Sequence, residues 1–148
     1  MTVNERLKED FTDPDYRHTY SNSFLDSSIA TQIRVLREQH QMTQAELAAK
    51  AGMNQSRISE LEYLDYSSWS VRTLRRLAQA FDLRLRITFE EFGSLFQDLH
   101  RLDRESLQRR NFSQDPSFSD VALVHPSACA TSDRTSIPRC PSGDSGVE

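Results

Sequence analysis

The sequence predicts a mainly α-helical protein, with four to five short helices followed by a short β-strand and one further helix. Apolar residues recur at helical spacing in successive segments, capping residues stand where those segments begin, and strict alternation replaces this spacing after Asp82. The predicted divisions are an N-terminal arm over 1–26, a helical domain over 27–82, a strand and helix over 83–110, and a disordered tail over 111–148.

Composition and charge exclude several classes of protein. The 148 residues contain no apolar run long enough to span a membrane, and the charged N-terminus lacks the apolar core of a secretory signal. We therefore expect a cytoplasmic protein without a membrane partner. The two cysteines, Cys129 and Cys140, stand in a polar segment without histidines at metal spacing, so neither a metal site nor a cofactor is expected.

The net charge of −4 is unevenly distributed along the chain. Residues 1–29 carry three basic and six acidic side chains, and residues 87–148 carry six basic and ten acidic ones. Residues 30–86 carry nine basic and six acidic side chains, so the middle of the chain has a net charge of +3. This segment is the part of the chain best suited to an anionic partner.

The first helices of the domain follow from apolar spacing and capping. A polar lead-in is predicted to become helical near Pro14, because proline fits the first turn of a helix. Ser27 or Ser28 is a plausible cap for a separate helix with Ile29, Ile33 and Leu36 on its apolar face.

Two shorter helices follow in the stretch MTQAELAAKAGMNQSRISELE, residues 42–62. Thr43 and Glu46 have the spacing of a capping box, in which each side chain binds the backbone N–H of the other end. Gly52 follows the last turn of that helix, where a left-handed conformation favours glycine. Asn54 then caps the next helix, predicted over 54–63. A tight turn makes such helices cross steeply, so one helix can brace the other.

The free face of the second short helix suggests what the pair presents. An α-helix fits the major groove of DNA, and its first turns reach the base edges. Glutamine can pair with adenine, arginine with guanine, and serine with either. The predicted base-reading residues are therefore Gln55, Ser56, Arg57, Ser59 and Glu60.

Phosphate contacts are predicted at the beginnings of the two helices and in the loop behind them. Thr43, Gln44 and Asn54 stand where helix N-termini point backbone N–H groups outward. In the loop EYLDYSSWS, Tyr66 and Ser68 are further candidates for the DNA backbone, whereas Trp69 either joins them or completes the core.

A fourth helix is predicted after Ser70, and the alternation of residues 83–89 then predicts a strand. An unpaired strand edge is a template for a second copy, so a homodimer is predicted that buries Leu83, Leu85, Ile87 and Phe89. The alternative is a strand that pairs with the N-terminal segment of the same chain. The apolar stripe from Phe92 to Leu102 predicts a further helix over about 90–109.

Residues 29–82 resemble the helix-turn-helix domain of phage repressor and Cro-type regulators, the XRE family, through QIRVLRE, MTQAELAAKAGM, NQSRISELE and TLRRLAQAFD. The resemblance implies a regulator that binds double-stranded operator DNA, usually as a dimer on an inverted repeat. It also implies that Gln44 touches phosphate, that Gln55, Ser56 and Arg57 read bases, and that Arg37 pairs with Glu62. The extension beyond the minimal domain resembles that of antitoxin-like members.

Three other classes of function compete with a repressor. No motif of a catalytic site is present and the four histidines are scattered, so we do not expect an enzyme. An antitoxin would keep the DNA-binding domain and also bind a toxin protein, through the segment after Phe112 or the helix over 90–109. A ligand sensor ranks low, because the segment after residue 110 is too polar to form a pocket.

Overall fold

The computed structural model describes residues 2–118, and these residues form seven α-helices and two short 3₁₀ turns. The bounds are α1 Val3–Asp10, α2 Pro14–Gln39, α3 Gln44–Ala51, α4 Gln55–Leu61, α5 Val71–Ala80, α6 Ser94–Leu99 and α7 Arg104–Leu107, with 3₁₀ turns at Phe112–Gln114 and Pro116–Phe118. The predicted tail beyond Phe118, with Cys129 and Cys140, lies outside the described residues. No helix among residues 2–118 is long and apolar enough to cross a membrane.

Helix α2 is one continuous helix of 26 residues, so the separate helix predicted to begin at Ser27 or Ser28 is wrong. The start at Pro14 is confirmed, with Asp13 accepting a hydrogen bond from the Asp15 N–H. Serine caps a helix only when its hydroxyl is needed by free N–H groups. Here the Ser28 hydroxyl donates to the carbonyl of Leu25 in the preceding turn, so it is satisfied within the helix.

Three helices end in the same way, with a left-handed residue and a hydrogen bond that spans the last turn. The left-handed residues are Gln41, Gly52 and Asp82. The N–H of the following residue bonds back five positions in each case, from Met42 to Arg37, from Met53 to Ala48 and from Leu83 to Ala78. This arrangement satisfies carbonyls that a helix end leaves free, and it turns an apolar residue back onto the helix.

The main core lies between the second half of α2 and helices α3, α4 and α5. Leu47, Ile58 and Leu61 are completely buried at its centre. Its buried members are Ile33, Leu36, Met42, Leu47, Ala48, Ala51, Ile58, Leu61, Leu77 and Phe81. All four helices therefore contribute to one core, which fixes their relative positions.

A second cluster joins α1, the first half of α2 and α6. Leu7, Phe11 and Leu95 are buried in it, and Tyr20, Phe24, Phe96 and Leu99 pack around them. Phe11 makes edge-on contacts with Tyr20 at 5.5 Å and with Phe92 at 6.2 Å between ring centroids. The predicted N-terminal arm is thus folded against the chain rather than a loose lead-in.

The strand predicted over residues 83–89 is wrong, because this segment forms no regular secondary structure. A strand requires a neighbouring segment to share its hydrogen bonds. Within the described residues, no backbone hydrogen bond involves residues 84–90. The N-terminal segment that could have paired with it is helical instead. The alternation persists only over residues 83–86, where Leu83 and Leu85 are half-buried while Arg84 and Arg86 are exposed.

The single helix predicted over 90–109 is also wrong and is replaced by α6 and α7. Asp103 caps α7 by accepting a hydrogen bond from the Ser106 N–H, so a new helix begins there. The following backbone is held against α2, where the Gln39 side chain donates to the Arg109 carbonyl at 2.9 Å and accepts from its N–H at 3.1 Å. The segment after α6 therefore runs along α2 towards its C-terminal end.

Candidate nucleic-acid interface

Helices α3 and α4 are joined by a short turn whose ends are fixed by local hydrogen bonds. The Thr43 hydroxyl accepts from the Glu46 N–H at 3.2 Å, and the Glu46 carboxylate accepts from the Thr43 N–H at 2.6 Å, so the predicted capping box is confirmed. The Glu46 carboxylate also accepts from the Thr43 hydroxyl at 2.9 Å, and its two bonds from the Thr43 N–H and hydroxyl lower the pKa of Glu46. Gly52 adopts φ 63°, the predicted left-handed conformation.

Arg76 on α5 reinforces this turn through contacts that its sequence pattern does not predict. Its Nε donates to the Ala51 carbonyl at 2.9 Å, and its Nη2 contacts the Gly52 carbonyl. A β-carbon at Gly52 would lie 3.0 Å from the same Nη2 atom. Glycine is therefore favoured here by its backbone conformation, and a β-carbon would also require the Arg76 side chain to shift slightly. The sequence shows only a cluster of arginines, which does not single out Arg76.

The pair that the family resemblance implies, Arg37 and Glu62, is present and largely buried. The two bonds measure 2.6 Å from Nε to Oε1 and 3.0 Å from Nη2 to Oε2, and the side chains are 14% and 6% exposed. Arg37 also donates to the Met42 carbonyl at 2.9 Å. The hydrogen bond to Glu62 raises the pKa of Arg37. The pair ties α2 to the end of α4.

Gln44 belongs to the same network. Its amide nitrogen donates to the Glu62 carboxylate at 3.0 Å, and the side chain is only partly exposed. Gln44, the predicted phosphate contact, therefore already connects the first residue of α3 with the end of α4. An amide group has two N–H donors, so one remains for a further partner.

The exposed face of α4 carries three predicted base-reading residues with free side chains. Gln55, Ser56 and Ser59 are exposed, and within residues 2–118 none of their side chains forms a hydrogen bond. Asn54 occupies the cap position, but its side chain makes no capping bond. The opposite face of α4 is fixed in the core by Ile58 and Leu61. A helix anchored in the core therefore presents free polar groups to the solvent.

The other two predicted base-reading residues, Arg57 and Glu60, contact each other. Arg57 Nη1 lies 3.0 Å from Glu60 Oε2, an interaction between residues one turn apart. This hydrogen bond, with a smaller contribution from Tyr66, raises the pKa of Arg57. Arg57 Nη2 also lies 2.5 Å from the Tyr66 hydroxyl, and its guanidinium lies 5.0 Å from the ring centroid.

The loop behind α4 is packed onto the domain. Trp69 packs against the main core, and its indole N–H donates to Asp26 on α2 at 2.9 Å. Trp69 therefore completes the core, one of the two alternatives left open by the sequence. Tyr66 donates its hydroxyl proton to the Ser68 carbonyl at 2.7 Å, while the Ser68 side chain is exposed. Asp26 was missed, because nothing in its local sequence connects it with a residue so far along the chain.

Four arginines on and after α5 supply exposed positive charge. Arg72, Arg75, Arg84 and Arg86 are exposed, and within the described part of the chain none of their side chains forms an ion pair or hydrogen bond. Acidic partners would reduce the attraction of these side chains for an anion. The structure therefore leaves the basic character of the 30–86 segment available at the surface.

No group of three or more His, Cys, Asp and Glu side chains in residues 2–118 is arranged to hold a metal ion.

Residues 33–87 match a protein-family model described as helix-turn-helix. No curated protein and no solved structure matches the chain. The matched residues run from the second half of α2 through α3, α4 and α5 to the segment after α5. Residues 33–87 are therefore similar in sequence to a helix-turn-helix, a motif whose second helix enters the major groove in DNA-binding proteins.

Proposed function

We propose that this protein is a sequence-specific DNA-binding transcriptional regulator, acting as a dimeric repressor of its own or a neighbouring operon. The observation that carries this proposal is the exposed face of α4, where Gln55, Ser56 and Ser59 have no partner within the described residues. In the proposal α4 lies in the major groove of an operator, and the chain has no catalytic role.

The chemistry of α4 sets which base edges it can read. The Gln55 amide can donate to N7 and accept from N6 of adenine, and the Arg57 guanidinium can donate twice to guanine. Ser56 and Ser59 each supply a hydroxyl that donates or accepts. Glu60 can accept from cytosine, but only where its bond with Arg57 is given up.

The proposed phosphate contacts surround this helix. The Asn54 side chain is free for such a contact, because it makes no capping bond. Gln44 offers the amide N–H that its bond to Glu62 leaves free, and Ser68 offers an exposed hydroxyl. The N–H and hydroxyl of Thr43 both donate to Glu46, so Thr43 can donate to a phosphate only where one of these bonds is given up. The exposed arginines add positive charge near these contacts. Binding to DNA releases counterions from the phosphates, and this release is less favourable at high salt, so the affinity should fall steeply as the salt concentration rises.

The dimer is proposed to form through residues 83–89. Ile87 is 59% exposed and Phe89 is fully exposed, although both are apolar. Ile87 also lines a groove of about 400 Å³ along α5, whose other lining residues are Val71, Arg75, Ala78, Gln79, Leu83 and Leu85. The free backbone groups of residues 84–90 can pair with the same groups of a second copy, which a two-fold axis would make antiparallel.

Sedimentation tests the dimer directly. Ile87→Arg should shift the protein to monomer, because the arginine would stand on the face that the second copy covers. Thr88→Arg is the matched control, since Thr88 is exposed, does not line the groove and gains the same charge. A dimer that withstands Ile87→Arg would refute this interface.

The antitoxin alternative differs in requiring a toxin protein as a second partner. The predicted toxin-binding helix over 90–109 is divided into α6 and α7, which pack on their own chain. This leaves the alternative without a free helix among the described residues. A stable complex with the product of a neighbouring gene would nevertheless establish it, whereas a repressor needs only its own copy.

Fluorescence anisotropy at physiological salt tests the regulatory proposal. It compares the affinity of the protein for the duplex upstream of its own gene with its affinity for a scrambled duplex of equal length. Wild-type protein should bind the native duplex more tightly. Gln55→Ala should weaken that binding by about 5- to 150-fold and leave binding to the scrambled duplex unchanged. Gln97→Ala, an exposed glutamine on α6, is the matched control. Equal weak binding of both duplexes would contradict self-repression.

A further inference from the structure

Arg57 is held in a defined position by its own protein. Its Nη1 bonds to the Glu60 carboxylate at 3.0 Å and its Nη2 to the Tyr66 hydroxyl at 2.5 Å. The guanidinium also lies 5.0 Å from the centre of the Tyr66 ring, which adds a cation–π contact. A long side chain that would otherwise sample many rotamers is thus restricted by two neighbours.

The direction of the hydrogen bonds at Tyr66 is fixed by simple counting. A phenol has one proton to donate, and Tyr66 donates it to the Ser68 carbonyl at 2.7 Å. The phenol oxygen therefore accepts from Arg57, which has only donors. The bond to Ser68 orients the hydroxyl so that its lone pairs face the guanidinium.

Tyr66 is itself anchored to the body of the domain. Its ring packs edge-on against Trp69, with 4.8 Å between ring centroids and an interplanar angle of 82°. Trp69 is held by its hydrogen bond to Asp26 on α2. Contacts thus run from α2 through two aromatic rings to a side chain on the recognition helix α4.

We infer that Tyr66 is a positioning residue for Arg57, which it holds ready to read a guanine in the major groove. This inference rests on the proposed function and assigns Tyr66 a role different from the predicted phosphate contact. A guanidinium has five N–H donors, and the two bonds described above use two of them. The remaining donors are sufficient for a bidentate contact with guanine O6 and N7.

The gain from such an arrangement is pre-organisation. Restricting an arginine on binding costs conformational entropy, and a side chain already restricted in the free protein loses less of it. The contribution of these contacts to folding should be small by comparison, since Arg57 and Glu60 are 38% and 59% exposed. Base selectivity is therefore the property that loss of the Tyr66 hydroxyl should change most.

The test is Tyr66→Phe, which removes the hydroxyl but keeps the ring that packs on Trp69 and faces Arg57. Selection from a randomised duplex should show a preference of wild-type protein for guanine at one position. In Tyr66→Phe this preference should fall by about threefold to tenfold at that position alone. Tyr63→Phe is the matched control, because Tyr63 is an exposed tyrosine of the same loop. The guanine preference of Tyr63→Phe should equal that of the wild-type protein.

A second variant separates positioning from a purely structural role. In an Arg57→Ala background, Tyr66→Phe should cause no further loss of guanine preference, because there is no guanidinium left to position. An equal loss with or without Arg57, or a uniform loss across all sequences, would overturn the inference. Wild-type selectivity that persists in Tyr66→Phe would overturn it while leaving the proposed function intact. Absence of any base preference in wild type would refute the proposed function itself.

Discussion

The main core and the second cluster are both built from short helices, but different contacts hold them together. In the main core, Leu47, Ile58 and Leu61 are completely buried, and the largely buried Arg37–Glu62 pair braces the helices. In the second cluster no large side chain is completely buried, and aromatic rings meet at their edges. The difference suggests that the first region holds α4 rigidly, whereas the second stabilises a flank of the molecule.

The largest expected effect comes from removing a completely buried side chain. Leu47→Ala should lower the free energy of unfolding by about 2–5 kcal/mol, because the core loses packing contacts and gains a cavity. Leu95→Ala in the second cluster should cost about 2 kcal/mol or less, since that site lies near solvent and can collapse. Denaturant unfolding measures both values. A larger loss from Leu95→Ala would reverse the comparison.

Breaking the Arg37–Glu62 ion pair of the main core should give the second-largest loss of stability. Arg37→Ala leaves the Glu62 carboxylate buried without its main partner, and we expect a loss of about 2–4 kcal/mol in unfolding free energy. Arg34→Ala is the matched control, because Arg34 pairs with Glu38 and is 65% exposed. Its effect should remain within about 1 kcal/mol. Similar losses in both variants would show that burial of the Arg37 pair does not matter.

Gly52 and Gly93 differ in backbone conformation, so replacing each with alanine should affect stability differently. Gly52→Ala should destabilise the protein by about 1–2 kcal/mol, because alanine is strained at φ 63° and its β-carbon would approach Arg76. Gly93→Ala should be neutral or slightly stabilising, since Gly93 has ordinary φ −61° and open space around it. Thermal unfolding of the two variants checks this. Equal melting temperatures would contradict the role of the left-handed turn.

The smallest expected effect is an increase in the free energy of unfolding. Gln41 adopts φ 54° at the end of α2, so Gln41→Gly should raise stability by up to about 1 kcal/mol through relief of backbone strain. For comparison, Gln108→Gly changes the same residue type at φ −69° and should lower stability or leave it unchanged. A melting temperature that falls in Gln41→Gly would show that the glutamine side chain outweighs the strain.

The sequence predicted the helix-turn-helix region well, because the signals there are local. The Thr43–Glu46 capping box, Gly52 and the apolar spacing of Leu47, Ile58 and Leu61 all act within a few residues of one another. Each local preference agrees with the fold that the core requires. The Arg37–Glu62 pair came from the family resemblance rather than from spacing.

The remaining features depend on contacts that local patterns do not encode. Phe11 meets Phe92 across most of the described chain, and Trp69 reaches Asp26 on α2. The strand failed because alternation specifies two faces of an extended segment but cannot supply a partner for its hydrogen bonds. At the proposed interface, the sequence pointed to Gln55, Ser56 and Arg57 but did not reveal that Arg57 contacts Glu60 and Tyr66.

Hydrogen exchange with and without the native upstream duplex tests the central claim most directly, because it shows which region meets DNA. The account predicts added protection in the peptide that covers α3, α4 and their turn, residues 43–62, and none in peptides from α1 or α6. Protection that appears in α1 or α6 while residues 43–62 remain unchanged would contradict the assignment of α4 as the recognition helix.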